Sequence, residues 1–180
     1  VARVEGTKLV ALKLDATTNF TVGSTTYRLT IDEAGNIDVT TLQAEVIDVS
    51  TIFTENVTSV LTSTFFTTKI DGQKVTVTPT KAGTDILEIT VGSKKVLAKV
   101  VVTGSEGNLT AKATLLKSTI LGTDLGFYVT DATLPTLTNA IVRNVNGNLD
   151  IYPSTKTAGK EQFVVTDGAG KQAIYELMIT

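Results

Sequence analysis

Residues 72–103 and 147–180 carry the same succession of turn and strand signals, and few folds accommodate such a repeat. Each block opens on a hairpin signal, Asp71-Gly72 or Asn146-Gly147, because Asp, Asn and Gly tolerate the positive φ of tight β-turns. Each then passes a proline (Pro79, Pro153) and an Ala-Gly pair (Ala82-Gly83, Ala158-Gly159). The closing strands align without a gap: Val96, Ala98, Val100 and Val102 fall on Ala173, Tyr175, Leu177 and Ile179. Residues two apart share a strand face, so both blocks present one apolar face, with Lys99 and Glu176 on the other. The chain reads as all-β, with one β-rich unit present twice.

The remaining segments are read around these blocks. Residues 8–14 form a first strand, and residues 27–31 alternate cleanly after a turn at Gly23. Residues 37–53 fit either a short helix, from the formers around Leu42 and Glu45, or an extra hairpin. Residues 59–70 are a long β-favouring run. In the second half, residues 121–130 parallel residues 22–30. The spacing from Gly23 to Gly72 exceeds that from Gly122 to Gly147 by about two dozen residues, which places an insertion near 32–55. Such an insertion either carries specific contacts or adds strands to the same sandwich. Residues 104–107 have the composition of a short hinge, giving units at 1–104 and 105–180.

Composition narrows the chemistry. Cys and His are both absent, which removes disulfides, thiolate nucleophiles, Cys zinc sites and the usual general base. No Ser-x-x-Lys pair stands in a suitable context, and the sequence is read as non-enzymatic. A net charge of −2 with scattered Lys and Arg argues against nucleic acid as a partner. No apolar run reaches the length of a transmembrane helix. The chain starts at Val1 without an export segment, and is expected to be a mature piece or fragment of something longer.

With Phe20-Thr-Val-Gly23-Ser and the strand after it, the opening half resembles bacterial immunoglobulin-like domains of group 2. Residues 71–83, followed by the strands at 86–90 and 96–103, look like the closing half of such a domain. The chain departs from the pattern in lacking any Trp and in the 32–55 surplus. The resemblance implies two tandem immunoglobulin-like β-sandwich domains. With the Thr-rich, Cys-free composition, it is most similar to bacterial surface-layer (S-layer) proteins. These are secreted to the cell surface, on the cell wall, where identical subunits self-assemble into a two-dimensional lattice. Calcium is an optional cofactor in that setting, and no family ligand maps onto this sequence. The alternatives are an adhesin or stalk pair binding a host or glycan ligand, and an accessory domain of a phage or cell-wall protein.

The residues themselves offer one weak metal candidate. Asn144, Asn146, Asn148 and Asp150 place oxygen-bearing side chains at alternate positions, and hard cations take oxygen ligands. The Asn-Gly turn explains part of the same pattern. Asp32 and Glu33 with Asn36, and Asp167 beside Gly168, are weaker versions of this motif. Sequons at Asn19, Asn56 and Asn108 are expected by chance in a chain so rich in Thr.

Overall fold

The computed structural model describes residues 1–105, 107–125 and 134–180, and they are nearly all β. In chain order the strands are β1 (Ala2–Glu5), β2 (Lys8–Ala11), β3 (Ala16–Val22), β4 (Thr25–Ile31), β5 (Ile37–Gln43), β6 (Glu45–Asp48), β7 (Ser59–Val60), β8 (Phe66–Asp71) and β9 (Lys74–Pro79). There follow β10 (Gly83–Val91), β11 (Lys94–Ser105), β12 (Asn108–Leu115), β13 (Ser118–Ile120), a single helical turn α1 (Gly122–Leu125), β14 (Ala140–Val145), β15 (Asn148–Pro153), β16 (Gly159–Thr166) and β17 (Gln172–Ile179). The parallel expected between residues 22–30 and 121–130 falls partly on residues 126–130, outside the described residues.

Strand pairing repeats as the sequence does. In the first half a three-stranded sheet has the order β6-β9-β8; in the second another has the order β13-β15-β14. Each central strand is reached through a two-residue hairpin. Asn146-Gly147 is the second turn, as expected, with Val145 opposite Asn148, whereas the first turn is Gly72-Gln73, one residue beyond the Asp71-Gly72 signal, with Asp71 already opposite Lys74. The prolines occupy equivalent places, Pro79 opposite Phe66 and Pro153 opposite Ala140. Each sheet is followed by a long hairpin, β10–β11 or β16–β17, in which Gly83 faces Val102 and Gly159 faces Ile179. Gly83, Gly159 and the apolar residues of the long hairpins therefore hold the same register twice, whereas Gly72 is the first residue of its turn and Gly147 the second of its own.

The two hairpins differ in their neighbours. β16–β17 is a two-stranded sheet, whereas β10–β11 lies within a seven-stranded sheet of order β3-β4-β5-β12-β11-β10-β7. At the stretch expected as a hinge, the β11–β12 ladder sets Gly104 opposite Leu109 and Ser105 opposite Asn108. β12 returns along β11 and pairs in parallel with β5 through Leu109 and Leu42. The ambiguous stretch near Leu42 forms no helix. It is two strands, β5 and β6, that break at Ala44 and pass from one sheet to the other.

Two cores result. In the first, Leu87, Ile89, Val96, Ala98, Val100 and Val102 line one face of β10 and β11. They share a buried cluster with Ile47, Phe66, Val75 and Val77 from the facing three-stranded sheet, giving the unit its sandwich-like character. The loop after β6 closes one end with Val49, Ile52, Phe53 and Val57, so the 32–55 surplus contributes core as well as surface. The second core joins Ala140, Val142, Leu149 and Ile151 to Phe163 and Val165 of the β16–β17 hairpin. Phe163 stacks on Tyr175 across that hairpin, with ring centroids 5.7 Å apart.

Sheet β13-β15-β14 is the layer between. Ala140, Val142, Leu149 and Ile151 take one face into the second core, while Ile141 and Tyr152 take the other into the first. Burial on both faces explains the near-continuous apolar reading of β14, where strict alternation is lost.

Candidate functional site

The Asn144–Asp150 motif is the β14–β15 hairpin. Asn146 and Gly147 both adopt positive φ, 54° and 84°, as a tight two-residue turn requires. The turn separates the four oxygen-bearing residues, because alternate spacing puts side chains on one face only along an unbroken strand. Asn144 lies opposite Leu149, and Arg143 lies opposite Asp150. Asn148 and Asp150 therefore share one face of the sheet and Asn144 belongs to the other. Asn144 Oδ1 accepts the Gly147 N–H at 3.0 Å, fixing the turn. Asn148 Oδ1 accepts the Gly122 N–H at 2.9 Å, tying the hairpin to α1.

Asp150 is the chemically distinctive member, a carboxylate only 4% exposed. Its Oδ2 accepts from Lys117 Nζ at 2.7 Å and from the Tyr152 hydroxyl at 3.3 Å, and its Oδ1 accepts from Thr119 Oγ1 at 2.6 Å. Burial pushes the Asp150 pKa up, but the hydrogen bonds from Lys117 and Thr119 and the Lys117 charge outweigh it. The carboxyl ends below its ordinary value. The bond to Asp150 raises Lys117, and burial together with the Asp150 charge raises Tyr152. The group is held ionised and saturated with donors, as buried charges must be.

This network faces the first core. Arg143, on the same face, donates from Nε to the backbone carbonyl of Ile52 at 2.8 Å, joining β14 to the loop after β6. Arg143 and Asp150 thus serve the junction between the two cores. The sequence signal for Arg143 is a lone cation within the apolar strand sequence Ala-Ile-Val-Arg, which strand alternation by itself does not single out.

The other acidic candidates anchor turns. Asp32 accepts the Asn36 N–H at Oδ1 and the Asn36 amide at Oδ2, both at 2.7 Å, and the bonds to Asn36 lower its pKa. Asp167 Oδ1 accepts the N–H groups of Ala169 and Lys171, both at 2.8 Å. Among the described residues, no group of three or more Asp and Glu side chains gathers to hold a metal ion. Nor is any helix among them long and apolar enough to cross a membrane.

A cleft of about 560 Å³ opens beside the junction, between the β10–β11 turn and β14. Lys94, Lys95 and Arg143 line it with the hydroxyls of Ser93, Thr136, Thr138 and Ser154, and among the described residues no carboxylate does. Lys95 is paired with Glu88 at 2.6 Å. Its lining suits an anionic or hydroxyl-rich group. No protein-family model, characterised protein or solved structure matches this chain.

Proposed function

We propose that the chain is a structural module of an extracellular bacterial surface-layer protein, built as two tandem immunoglobulin-like β-sandwich units. Identical neighbours would assemble through protein–protein contacts into a two-dimensional lattice, with calcium an optional stabiliser. The observation that carries the reading is the sheet β13-β15-β14, buried on both faces and shared between two cores. A lattice needs its contact patches held at fixed angles, and a shared layer resists the relative motion that a loose linker permits. The division at 104/105 makes β12 the opening strand of the second unit, paired into the sheet of the first. Electron microscopy of the full-length protein, with and without calcium, tests the proposal. Ordered sheets are expected; isolated rods under every condition overturn it.

The cationic cleft favours a second reading, an adhesin or stalk pair that takes an acidic glycan at Lys94 and Arg143. Binding to an array of sialylated and neutral glycans decides it: acid-dependent binding lost in Lys94→Glu supports this reading, and no binding removes it.

A further inference from the structure

From the outer edge of β3, we propose that two copies of this chain associate edge to edge, each β3 pairing antiparallel with the β3 of its partner. β3 is the first strand of the seven-stranded sheet, so one side of its backbone has no strand neighbour among the described residues. Such an edge is a template for strand addition unless charge, proline or a covering element protects it. Among the described residues, every other edge strand longer than three residues carries a charged side chain: Lys69 and Asp71 in β8, for example, and Arg143 in β14. β3, with the sequence Ala-Thr-Thr-Asn-Phe-Thr-Val, has neither charge nor proline, and Asn19, Phe20, Thr21 and Val22 are all exposed.

Register makes this edge self-complementary. Val22 and Thr25 flank a two-residue turn and form a hydrogen-bonded pair, as do Phe20 with Tyr27 and Thr18 with Leu29 by alternation. The N–H and C=O groups of Thr17, Asn19 and Thr21 therefore point outward. A two-fold axis at Asn19 sets Asn19 against Asn19 and Thr17 against Thr21, so all three outward residues gain a hydrogen-bonded partner. The same axis places Phe20 beside Thr18 and Val22 beside Ala16, continuing the half-apolar face on which Phe20 stacks with Tyr27 at 5.3 Å. The chain already closes a related edge this way. β10, the outer strand of the hairpin that leads to β12 as β3–β4 leads to β5, is covered by the antiparallel β7 through Val60 and Ile89.

This contact deepens the lattice reading and rests on it for its setting. Sedimentation velocity of the 180-residue chain over a concentration series gives the test. The wild type should show a concentration-dependent monomer–dimer equilibrium. Asn19→Glu sets two carboxylates against each other at the axis, while within one copy it faces Arg28 across the β3–β4 ladder, which favours the fold. It should sediment as a monomer throughout with an unchanged thermal melt, and an equimolar mixture with Asn19→Lys should restore the dimer. A wild type that stays monomeric, an Asn19→Glu protein that still dimerises, or a mixture that fails to associate overturns the proposal. Two-dimensional sheets that survive Asn19→Glu remove this contact and leave the lattice reading standing; a β3 dimer without sheets does the reverse.

Discussion

Replacing Asp150 by Ala tests whether its network holds the junction. Three donors lose their acceptor, and they differ in what they can do next. Lys117 has a side chain 47% exposed and Thr119 is exposed, so both return to water. Tyr152 is 5% exposed, and among the described residues its hydroxyl has no partner besides Asp150. Orphaning one buried hydroxyl costs about 1–3 kcal/mol, and losing the Thr119 bond adds about 1 kcal/mol. The expected destabilisation is about 2–4 kcal/mol, a large share of the ~5–15 kcal/mol that holds a typical domain. Asp150→Asn keeps the shape and one acceptor and should lose less, about 1–2 kcal/mol. The sign with pH follows from the lowered carboxyl. A folded-state pKa below the unfolded value adds stability above the unfolded value and forfeits it as pH falls through the folded one. Lys117 and Tyr152, both raised, contribute stability that is full below their unfolded values and fades as pH climbs through the folded ones. The gap between wild type and Asp150→Ala is therefore widest near neutrality and narrows towards both extremes. Urea unfolding at pH 3, 7 and 11, followed by far-UV circular dichroism and tyrosine fluorescence, measures it. In the Asp150→Ala background, Tyr152→Phe should be neutral or stabilising, because it removes the orphaned hydroxyl. A loss below about 0.5 kcal/mol at pH 7, or a gap constant across pH, refutes the assignment of Asp150 as a saturated buried anion.

Arg143→Met removes the donor to the buried Ile52 carbonyl and should cost about 1–3 kcal/mol, with faster hydrogen exchange in residues 49–57 and in β14. Exchange rising only in β14 would place the bond outside the junction. Gly104 has φ +144°, and a Cβ there would run into the Asn108 carbonyl. Gly104→Ala should therefore destabilise by about 1–3 kcal/mol and loosen β12 before β10, read by residue-resolved exchange. Calcium added to isotope-labelled protein should leave the amide resonances of residues 144–150 in place, since the Asn144, Asn148 and Asp150 oxygens already have donors. Saturable shifts at those residues would support a metal site there.

Local pairing was legible because its signals are local. The Asn146-Gly147 signal coincides with its turn, and the Asp71-Gly72 signal falls one residue ahead of the first turn, Gly72-Gln73; the prolines that follow lie at matching strand ends. The alternation of Val96, Ala98, Val100 and Val102 named a buried face correctly, and that of Ala173, Tyr175, Leu177 and Ile179 named a half-buried one. Period two states which side chains share a face, not which strand lies alongside. Hence β11, flanked by β10 and β12, and β17, paired among the described residues with β16 alone, look alike in sequence. Around Leu42 local helix propensity competed with strand pairing, and β5, held between β4 and β12, shows tertiary context deciding the outcome. Counting alternate positions across Asn146-Gly147 ignores the turn that those residues themselves encode, so Asn144 lies on the opposite face from Asn148 and Asp150.

The pairing of β5 with β12 carries the repeat one step further than the sequence does. A hairpin followed by a third antiparallel strand occurs twice in the seven-stranded sheet, as β3–β4–β5 and as β10–β11–β12. β5 leads into β6 and β12 into β13, the outer strands of the two equivalent three-stranded sheets. Strands that open successive copies of one pattern can meet side by side only if the copies are staggered within a shared sheet, and here they meet in parallel. The joint is short, Asn108 to Thr110 against Thr41 to Gln43, and is reinforced by the Thr110 and Gln43 side chains at 3.1 Å. A connection of this kind lets each pattern complete its neighbour's sheet, so stability in one copy depends on the next. Substitutions at the joint should then loosen both cores together, whereas a linker between independent sandwiches would let either unfold alone.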